Sequence, residues 1–309
     1  MTEFPSFYDP ERIGTLFAPD MAEIERAAIQ AGLPPVSPDD PQVHLLLVDM
    51  QVDFCHEQGA LYVPGALGDL RRVIEFIFRN AAVISQITCS LDSHLPSQIF
   101  SPVWWADAEG RHPAPFTVIT AEDVTTGRWR PLTEPEWSRH YVRELEVEAK
   151  KQLTIWPYHT LIGSNGHTLD GELWSAVAWH SLARRVAPHW MIKGSEPRTE
   201  HYSIIQPEIH VPGSPQGGKN QAMLDMLAAA DLAVIAGEAS SHCVLETVED
   251  LVNEFGGRPG MLEKVLVLQD CTSPVAHPEI DFGALAEQRF AEFAQQGLRL
   301  ANSTDPLPL

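Results

Sequence analysis

Cysteine is scarce in this sequence, and its spacing excludes two common roles. The four cysteines, Cys55, Cys89, Cys243 and Cys271, stand far apart in the 309-residue chain. Zinc ribbons and thiol redox motifs need two cysteines within a few positions, so the sequence excludes a CxxC pair. Scattered cysteines also argue against a disulfide framework, and we therefore predict four reduced thiols.

Basic residues are scarce as well. Lys and Arg number 21 against 42 Asp and Glu, which gives a formal net charge of −21. Because such a charge repels phosphate backbones and anionic lipid surfaces, we expect neither nucleic acid nor a membrane as a partner. The sequence also lacks a basic N-terminal segment followed by an apolar one, and lacks a run of bilayer length. We expect a cytoplasmic globular protein, and 44% hydrophobic residues suffice for a large core.

Short apolar runs recur along the chain and alternate with helical segments. The first run, Leu45–Val48, is continuous, which suits a strand covered on both faces in a parallel sheet. Strands are predicted at 45–48, 82–90, 190–192, 232–236, 265–268 and 298–301, and helices at 20–31, 66–80, 219–230, 244–255 and 280–296. The alternation predicts an α/β fold of three layers, α/β/α and Rossmann-like, with a doubly wound, mainly parallel sheet of about six strands.

Two segments lie outside this pattern. Residues 1–42 are rich in proline and are predicted to form an N-terminal extension, followed by a single domain over 43–309. Within that domain, residues 95–155 form an insertion that is too long for an ordinary connection, as lids and binding segments often are. Its tryptophans could cover a pocket, form a subunit interface or be buried in the chain's own core: Trp104, Trp105, Trp129 and Trp137.

Three polar residues follow three of the predicted strands. Asp49 follows the first strand, Lys193 the third and Cys243 the fourth. Because parallel strands end at one edge of a sheet, we expect these side chains to converge there. A carboxylate can accept the thiol proton, and an ammonium stabilises a thiolate or an oxyanion. Taken alone, Asp49 would be a turn former, Lys193 a solvated charge and Cys243 a buried thiol. Only their joint placement favours nucleophilic catalysis.

Cys243 also begins a predicted helix. The positive end of a helix dipole favours the thiolate, so this position is expected to lower the thiol pKa. The sequence therefore predicts a reactive cysteine at a strand-to-helix turn.

A second cluster follows the second strand. Asp92 and His94 are separated by one residue, so in an extended segment their side chains point the same way. A carboxylate and an imidazole can bind zinc, iron or manganese when a third ligand joins them, and His159 is the candidate. The alternative is that His94 and His159 are ordinary loop histidines.

Four segments, in this order along the chain, resemble motifs of the isochorismatase-like cysteine hydrolases, and within them of the nicotinamidase/pyrazinamidase branch. Residues 47–54 (LVDMQVDF) resemble the DxQxDF strand, and 92–94 (DSH) resemble the metal-binding DxH. Residues 156–166 (WPYHTLIGSNG) resemble WPxHCxxGTxG, and 237–244 (GEASSHCV) resemble the GxAxxxCV nucleophile turn. Lys193-Gly194 matches the lysine of the family. The resemblance spans most of residues 44–301 and implies the isochorismatase-like hydrolase fold.

The resemblance implies a catalytic triad in which Cys243 is the nucleophile, Asp49 the general base and acid, and Lys193 the third member. It implies an oxyanion hole formed by the backbone N–H groups of Ala239 and Cys243, with a cis peptide bond at Glu238–Ala239. The implied reaction is metal-assisted hydrolysis of nicotinamide to nicotinate and ammonia, through a thioester on the cysteine.

The resemblance also implies a cofactor, a pocket and partners. Asp92, His94 and His159 would hold a divalent metal ion, zinc in the first place and iron or manganese as alternatives, with water completing the shell. Phe54 and Trp156 match the aromatic walls of the nicotinamide pocket. Relatives are commonly homo-oligomers, so the implied partners are a small-molecule amide and further copies of this chain.

The chain departs from the family pattern at several positions. Thr160 replaces the cysteine after the metal histidine, Ser241 replaces an aspartate two before the nucleophile, and Phe100 stands where some nicotinamidases have a fourth ligand. His112, inside the insertion, is a spare candidate ligand, and Cys271 is expected to be structural. Because the chain exceeds the family's usual length, two alternatives stay open: a cysteine hydrolase acting on another small amide, and a non-catalytic binding protein of the same fold.

Overall fold

A computed structural model describes residues 4–147, 151–277 and 280–309 of the chain. Its strands are β1 (Val43–Val48), β2 (Ile84–Asp92), β3 (Trp105–Ala106), β4 (Val118–Ile119), β5 (Arg130–Pro131), β6 (Leu153–Thr154), β7 (His189–Lys193), β8 (Leu232–Gly237), β9 (Val265–Leu268) and β10 (Arg299–Ala301). Its α-helices are α1 (Met21–Ala31), α2 (Val52–Cys55), α3 (Ala66–Asn80), α4 (Ala121–Thr126), α5 (Pro135–Val147), α6 (Gly171–Arg184), α7 (Gln221–Ala229), α8 (Cys243–Phe255) and α9 (Phe282–Gln295).

Six of these strands form one sheet in the order β10-β9-β8-β1-β2-β7, and neighbouring strands pair in parallel. The chain builds the sheet outward from β1 to β7, and then returns to β8 on the other side of β1. The strand order therefore reverses between β1 and β8. In doubly wound folds, the carboxyl ends of the strands at such a reversal form a crevice that binds ligands. The predicted fold class is confirmed.

The sheet separates two apolar layers. Alternate residues of β1 face opposite sides: Leu45 and Leu47 pack with α1, α3 and α6, whereas Leu46 and Val48 pack with α7, α8 and α9. Every residue of β1 and of β8 is buried, which explains why their sequences are apolar without alternation. None of the described helices combines the length and the apolarity that crossing a bilayer requires.

Two strand boundaries differ from the prediction in a way that matters for the site. The second strand begins at Ile84, not at residue 82, and it extends to Asp92. The third extends to Lys193, which pairs in register with Asp92 across the sheet. Asp92 and Lys193 are thus residues of paired strands, whose backbones are fixed by the sheet, whereas the sequence predicted them just beyond the strands.

The two segments outside the strand–helix alternation pack against this framework. In the N-terminal segment, Phe7 and Ile24 are buried in the layer that contains α6. The insertion has an apolar cluster of its own, in which Trp104 and Trp105 are buried with Tyr141 of α5. Of the three roles considered, these two tryptophans therefore have the one of burial in the chain's own core. The boundaries at residues 42 and 43, and at 95 and 155, stay predictions.

Candidate active site

Asp49, Lys193 and Cys243 converge at the carboxyl edge of the sheet. The Lys193 Nζ lies 2.8 Å from Asp49 Oδ2 and 3.6 Å from Cys243 Sγ. It also donates to the carbonyl of His201 at 2.9 Å and lies 3.1 Å from Asp92 Oδ1. Asp49 and Lys193 are almost completely buried, so the ammonium is surrounded by acceptors and shielded from water.

The end of β1 orients Asp49 through contacts that the sequence does not reveal. Its backbone has a φ of 48°, in the left-handed region that non-glycine residues seldom adopt. The Ser90 hydroxyl of β2 donates to Asp49 Oδ1 at 2.6 Å and accepts from the Asp49 N–H at 3.1 Å. One serine therefore fixes both the backbone and the carboxylate of Asp49.

Burial dominates the ionisation of these groups. It raises the pKa of the Cys243 thiol well above its ordinary value, and Lys193 offsets this only in part. Burial likewise raises the pKa of Asp49, against the lowering effect of the same ammonium. For Lys193, burial lowers the pKa, but the Asp49 and Asp92 carboxylates outweigh it and raise the pKa above its usual range. The predicted lowering of the thiol pKa is therefore wrong: the resting thiol is protonated and needs a base beside it.

The turn between β8 and α8 presents the thiol. Gly237 has a φ of 125°, and a Cβ there would lie 2.1 Å from the Val48 carbonyl oxygen, so only glycine fits. The next peptide bond, Glu238–Ala239, is cis, at the position where the sequence predicts it. Among the described residues, the N–H groups of Ala239 and Cys243 have no hydrogen-bond acceptor. They are thus available to bind an oxyanion near Cys243.

Asp92, His94 and His159 form a compact group beside the triad. One potential ligand atom from each lies within 4.8 Å of the others. The Nδ1 atoms of His94 and His159 lie 3.2 Å and 2.7 Å from the carbonyl oxygens of Gly194 and Pro157. Those bonds orient the rings so that the Nε2 atoms face Asp92, at 2.9 Å and 4.0 Å from its Oδ2.

The charge of this group suits a cation. Burial raises the pKa of Asp92, but His94, Lys193 and His159 outweigh it and hold that pKa well below its usual range. Burial also lowers the pKa of His159 to about 4, so its imidazole is neutral at pH 7. A carboxylate and neutral imidazoles are the forms that ligate a divalent metal.

A cavity connects the cysteine to this group. It encloses about 500 Å³ of empty space, a volume that includes its open mouth. Phe54 and Trp156 line it, together with Cys243, Ala239 and the three candidate metal ligands. The cavity thus places an apolar aromatic wall, a thiol and a potential cation site around one small space.

A buried acid that the sequence did not single out holds the aromatic wall. The Glu200 carboxylate accepts from Tyr202 Oη at 2.6 Å, from Trp156 Nε1 at 3.2 Å and from Tyr141 Oη at 2.9 Å. Burial raises its pKa, and these donors oppose the rise. The one sequence signal is an acid two residues before Tyr202, in an otherwise irregular segment. Tyr141 brings the insertion into contact with the pocket wall through this carboxylate.

The positions that depart from the family pattern have structural partners here. Phe100 packs against the His94 ring at 4.8 Å between centroids, so the place of a fourth ligand is filled by an apolar wall. The Thr160 N–H donates to Asp53 at 2.6 Å, and Ser241 Oγ accepts from the Val275 N–H at 3.0 Å. His112 bonds the Trp105 carbonyl and is not part of the Asp92 group.

No protein-family model matches the chain, and no curated protein matches it in sequence. Among solved structures, the chain is similar to the yeast nicotinamidase bound to the inhibitor nicotinaldehyde, with a TM-score of 0.57 and 15% identity over 84% of this chain and 100% of that chain. It is similar to a nicotinamidase/pyrazinamidase of Acinetobacter baumannii, with a TM-score of 0.54 and 19% identity over 87% and 100% of the two chains. A third similar structure is PnC1 from L. infantum in complex with nicotinate, with a TM-score of 0.51 and 19% identity over 87% and 97%. At these identities the likeness shows a shared fold.

Proposed function

We propose that the protein is a cysteine amidohydrolase that converts nicotinamide and water to nicotinate and ammonia. The observation that carries the proposal is the convergence of Asp49 and Lys193 on Cys243, which lines a cavity together with the Asp92 group and an aromatic wall. Two of the similar structures are nicotinamidases, and two hold nicotinaldehyde or nicotinate, which is consistent with a pyridine in this cavity.

In the proposed mechanism, Asp49 accepts the thiol proton and Cys243 Sγ attacks the amide carbonyl carbon. The carbonyl oxygen takes up the electron pair and is bound by the N–H groups of Ala239 and Cys243. Asp49 returns the proton to the nitrogen, the C–N bond breaks and ammonia leaves, while a thioester remains on the cysteine. Asp49 then deprotonates a water that hydrolyses the thioester. Lys193 stabilises the thiolate from 3.6 Å throughout.

The proposal includes a divalent metal ion on Asp92, His94 and His159. The donor set fits, because both rings are oriented by backbone carbonyls and the acid is held ionised. An ion there would act as a Lewis acid and as an anchor for a substrate nitrogen. We propose zinc, with iron or manganese as alternatives, since one oxygen and two nitrogen ligands suit all three. We further propose that the enzyme works in the cytoplasm as a homo-oligomer in nicotinamide salvage.

The test measures ammonia released from nicotinamide by the metal-loaded protein. Cys243→Ala should abolish release, because none of the other described residues that line the cavity carries a thiol. The matched control is Cys271→Ala, which removes a buried thiol outside the cavity and should retain activity. Equal rates in the Cys243→Ala and unmodified proteins would contradict the mechanism. If the protein hydrolyses another small amide but not nicotinamide, the proposed substrate is wrong and the proposed cysteine mechanism stands.

A further inference from the structure

A second and larger depression, here called the outer groove, lies beside the active-site cavity. It encloses about 1470 Å³ of empty space including its open side, against about 500 Å³ for the cavity. Aromatic and aliphatic side chains from the insertion, from α8, from α9 and from the segment before α9 line most of it: Phe116, Val118, Leu245, Ile280, Phe282 and Leu285.

The cavity and the outer groove share one wall. Trp156, Glu200, Tyr202, His242 and Val275 line both spaces. The His242 ring, next to the cysteine in sequence, packs edge-on against Trp156 with 5.7 Å between the ring centroids. The cavity that contains the thiol and the outer groove therefore adjoin along these side chains.

The outer groove exposes large apolar side chains to water. Phe116 is 50% exposed, Val118 43%, Ile280 42% and Leu285 53%. One exposed apolar residue is ordinary, but four in a single groove beside a reactive cysteine mark a binding surface. The groove therefore suits an apolar ligand.

The ammonium group that lines the groove is already paired with carboxylates. Lys151, which lines it, lies 2.8 Å from a carboxylate oxygen of Glu208 and 2.7 Å from one of Glu246. An ammonium with two carboxylate partners has little left to offer an anionic ligand, and the net charge of −21 repels anions as well. An anionic ligand is therefore disfavoured in the groove, and the apolar lining favours an uncharged one.

Burial decides which end of a bound amide can extend into the groove. The nitrogen must face Asp49 to receive a proton, and Asp49 is 0% exposed and Lys193 2%. Neither residue lines the cavity or the groove, so there is no room for a substituent on the nitrogen. The leaving group is then ammonia, and any extension is on the acyl side, toward the shared wall.

We propose that the preferred substrate is a primary aromatic carboxamide whose acyl group carries a neutral apolar extension, and that this extension lies in the outer groove. The inference rests on the proposed amidase function and narrows its substrate class. Nicotinamide itself would fill the cavity and leave the groove empty.

The experiment compares nicotinamide with 5-alkyl and 6-alkyl nicotinamides, from methyl to n-butyl, by the kcat/KM of ammonia release. In at least one series kcat/KM should rise by up to about fourfold per methylene that the groove buries. Leu285→Asp places a charge in the groove and should flatten this rise. Ile29→Asp is the matched control: it changes an exposed residue of α1, 72% exposed and on the other side of the sheet, and should keep the rise.

Several results would overturn the inference. One is a kcat/KM that stays flat or falls with alkyl chain length in both series while nicotinamide is still hydrolysed. Another is an equal increase of kcat/KM with chain length in the Leu285→Asp and Ile29→Asp proteins. If no amide is hydrolysed, the amidase proposal fails, and calorimetric binding of the same compounds to the Cys243→Ala protein tests the groove separately. Affinity that increases with chain length would support the outer groove as an apolar site, and affinity that does not would refute it.

Discussion

Ser90→Ala tests whether the hydroxyl that holds Asp49 sets the pH range of catalysis. Ser90 donates to Asp49 Oδ1 at 2.6 Å, which favours the ionised carboxylate and lowers the pKa of Asp49 against the effect of burial. Alanine removes this bond while Lys193 stays 2.8 Å away. The carboxylate thus keeps its counter-ion and loses one donor.

The size of the effect follows from the strength of that bond. A hydrogen bond to a charged group contributes about 1.5–3 kcal/mol. Because about 1.4 kcal/mol corresponds to one pKa unit, the pKa of Asp49 should rise by roughly one to two units in the variant. A base with a higher pKa is protonated over a wider acidic range, so the acidic limb of kcat/KM against pH should shift to higher pH by the same amount.

The assay is ammonia release from nicotinamide as a function of pH. The matched control is Ser85→Ala on the same strand, a buried serine whose hydroxyl donates to the Val43 carbonyl at 2.9 Å, away from the site. Both variants lose one buried hydrogen bond, so both should lose some stability, but only Ser90→Ala should move the acidic limb. An acidic limb that stays in place in Ser90→Ala would refute the assignment of that limb to Asp49.

Two further predictions concern the metal group and a buried histidine. Asp92→Asn should lower the amount of divalent metal that remains bound after dialysis, because an amide is a much weaker ligand than a carboxylate. The metal content is measured by elemental analysis, and the control Asp305→Asn, at an exposed position, should not lower it. Equal metal contents in the two variants would exclude the site. Burial lowers the pKa of His44 to about 4, so its contribution to stability is complete above pH 6.5 and is lost as pH falls toward 4. His44→Gln should therefore reduce the loss of unfolding free energy between pH 7 and 4.5, in urea titrations, by about 2–3 kcal/mol. The exposed control His140→Gln should not change that loss, and equal losses in the two variants would contradict the assignment to His44.

The fold and the convergence of the triad could be predicted because both depend on local patterns. Continuous apolar runs such as Leu45–Val48 occur where a strand is covered on both faces, and a parallel sheet brings the ends of its strands to one edge. These two facts alone are enough to predict that Asp49, Lys193 and Cys243 lie close together. The predicted strands ended two residues before the end of β2 and one before the end of β7, and these errors still left Asp92 and Lys193 at that edge.

The contacts that tune the site have no local pattern. Glu200 meets Trp156 from a segment 44 positions away and Tyr141 from one 59 positions away, across parts of the chain with no regular repeat. The role of Ser90 depends on the pairing of β1 with β2 and on the unusual backbone of Asp49. Such contacts follow from tertiary packing, which spacing along a sequence does not encode.

The protonation state of Cys243 shows why this difference matters for chemistry. A helix N-terminus is visible in the sequence and favours a thiolate, but the extent of burial is not visible, and burial disfavours any charge on sulfur. In the folded chain burial outweighs the Lys193 ammonium, so the thiol stays neutral at rest. A neutral thiol attacks a carbonyl only if its proton leaves as the bond forms, and the acceptor must already be in contact with it. Asp49 is positioned for this role, since its carboxylate lies 2.8 Å from the Lys193 Nζ, which in turn lies 3.6 Å from Cys243 Sγ. Under the proposed mechanism, Asp49 activates the cysteine by accepting its proton as the bond forms.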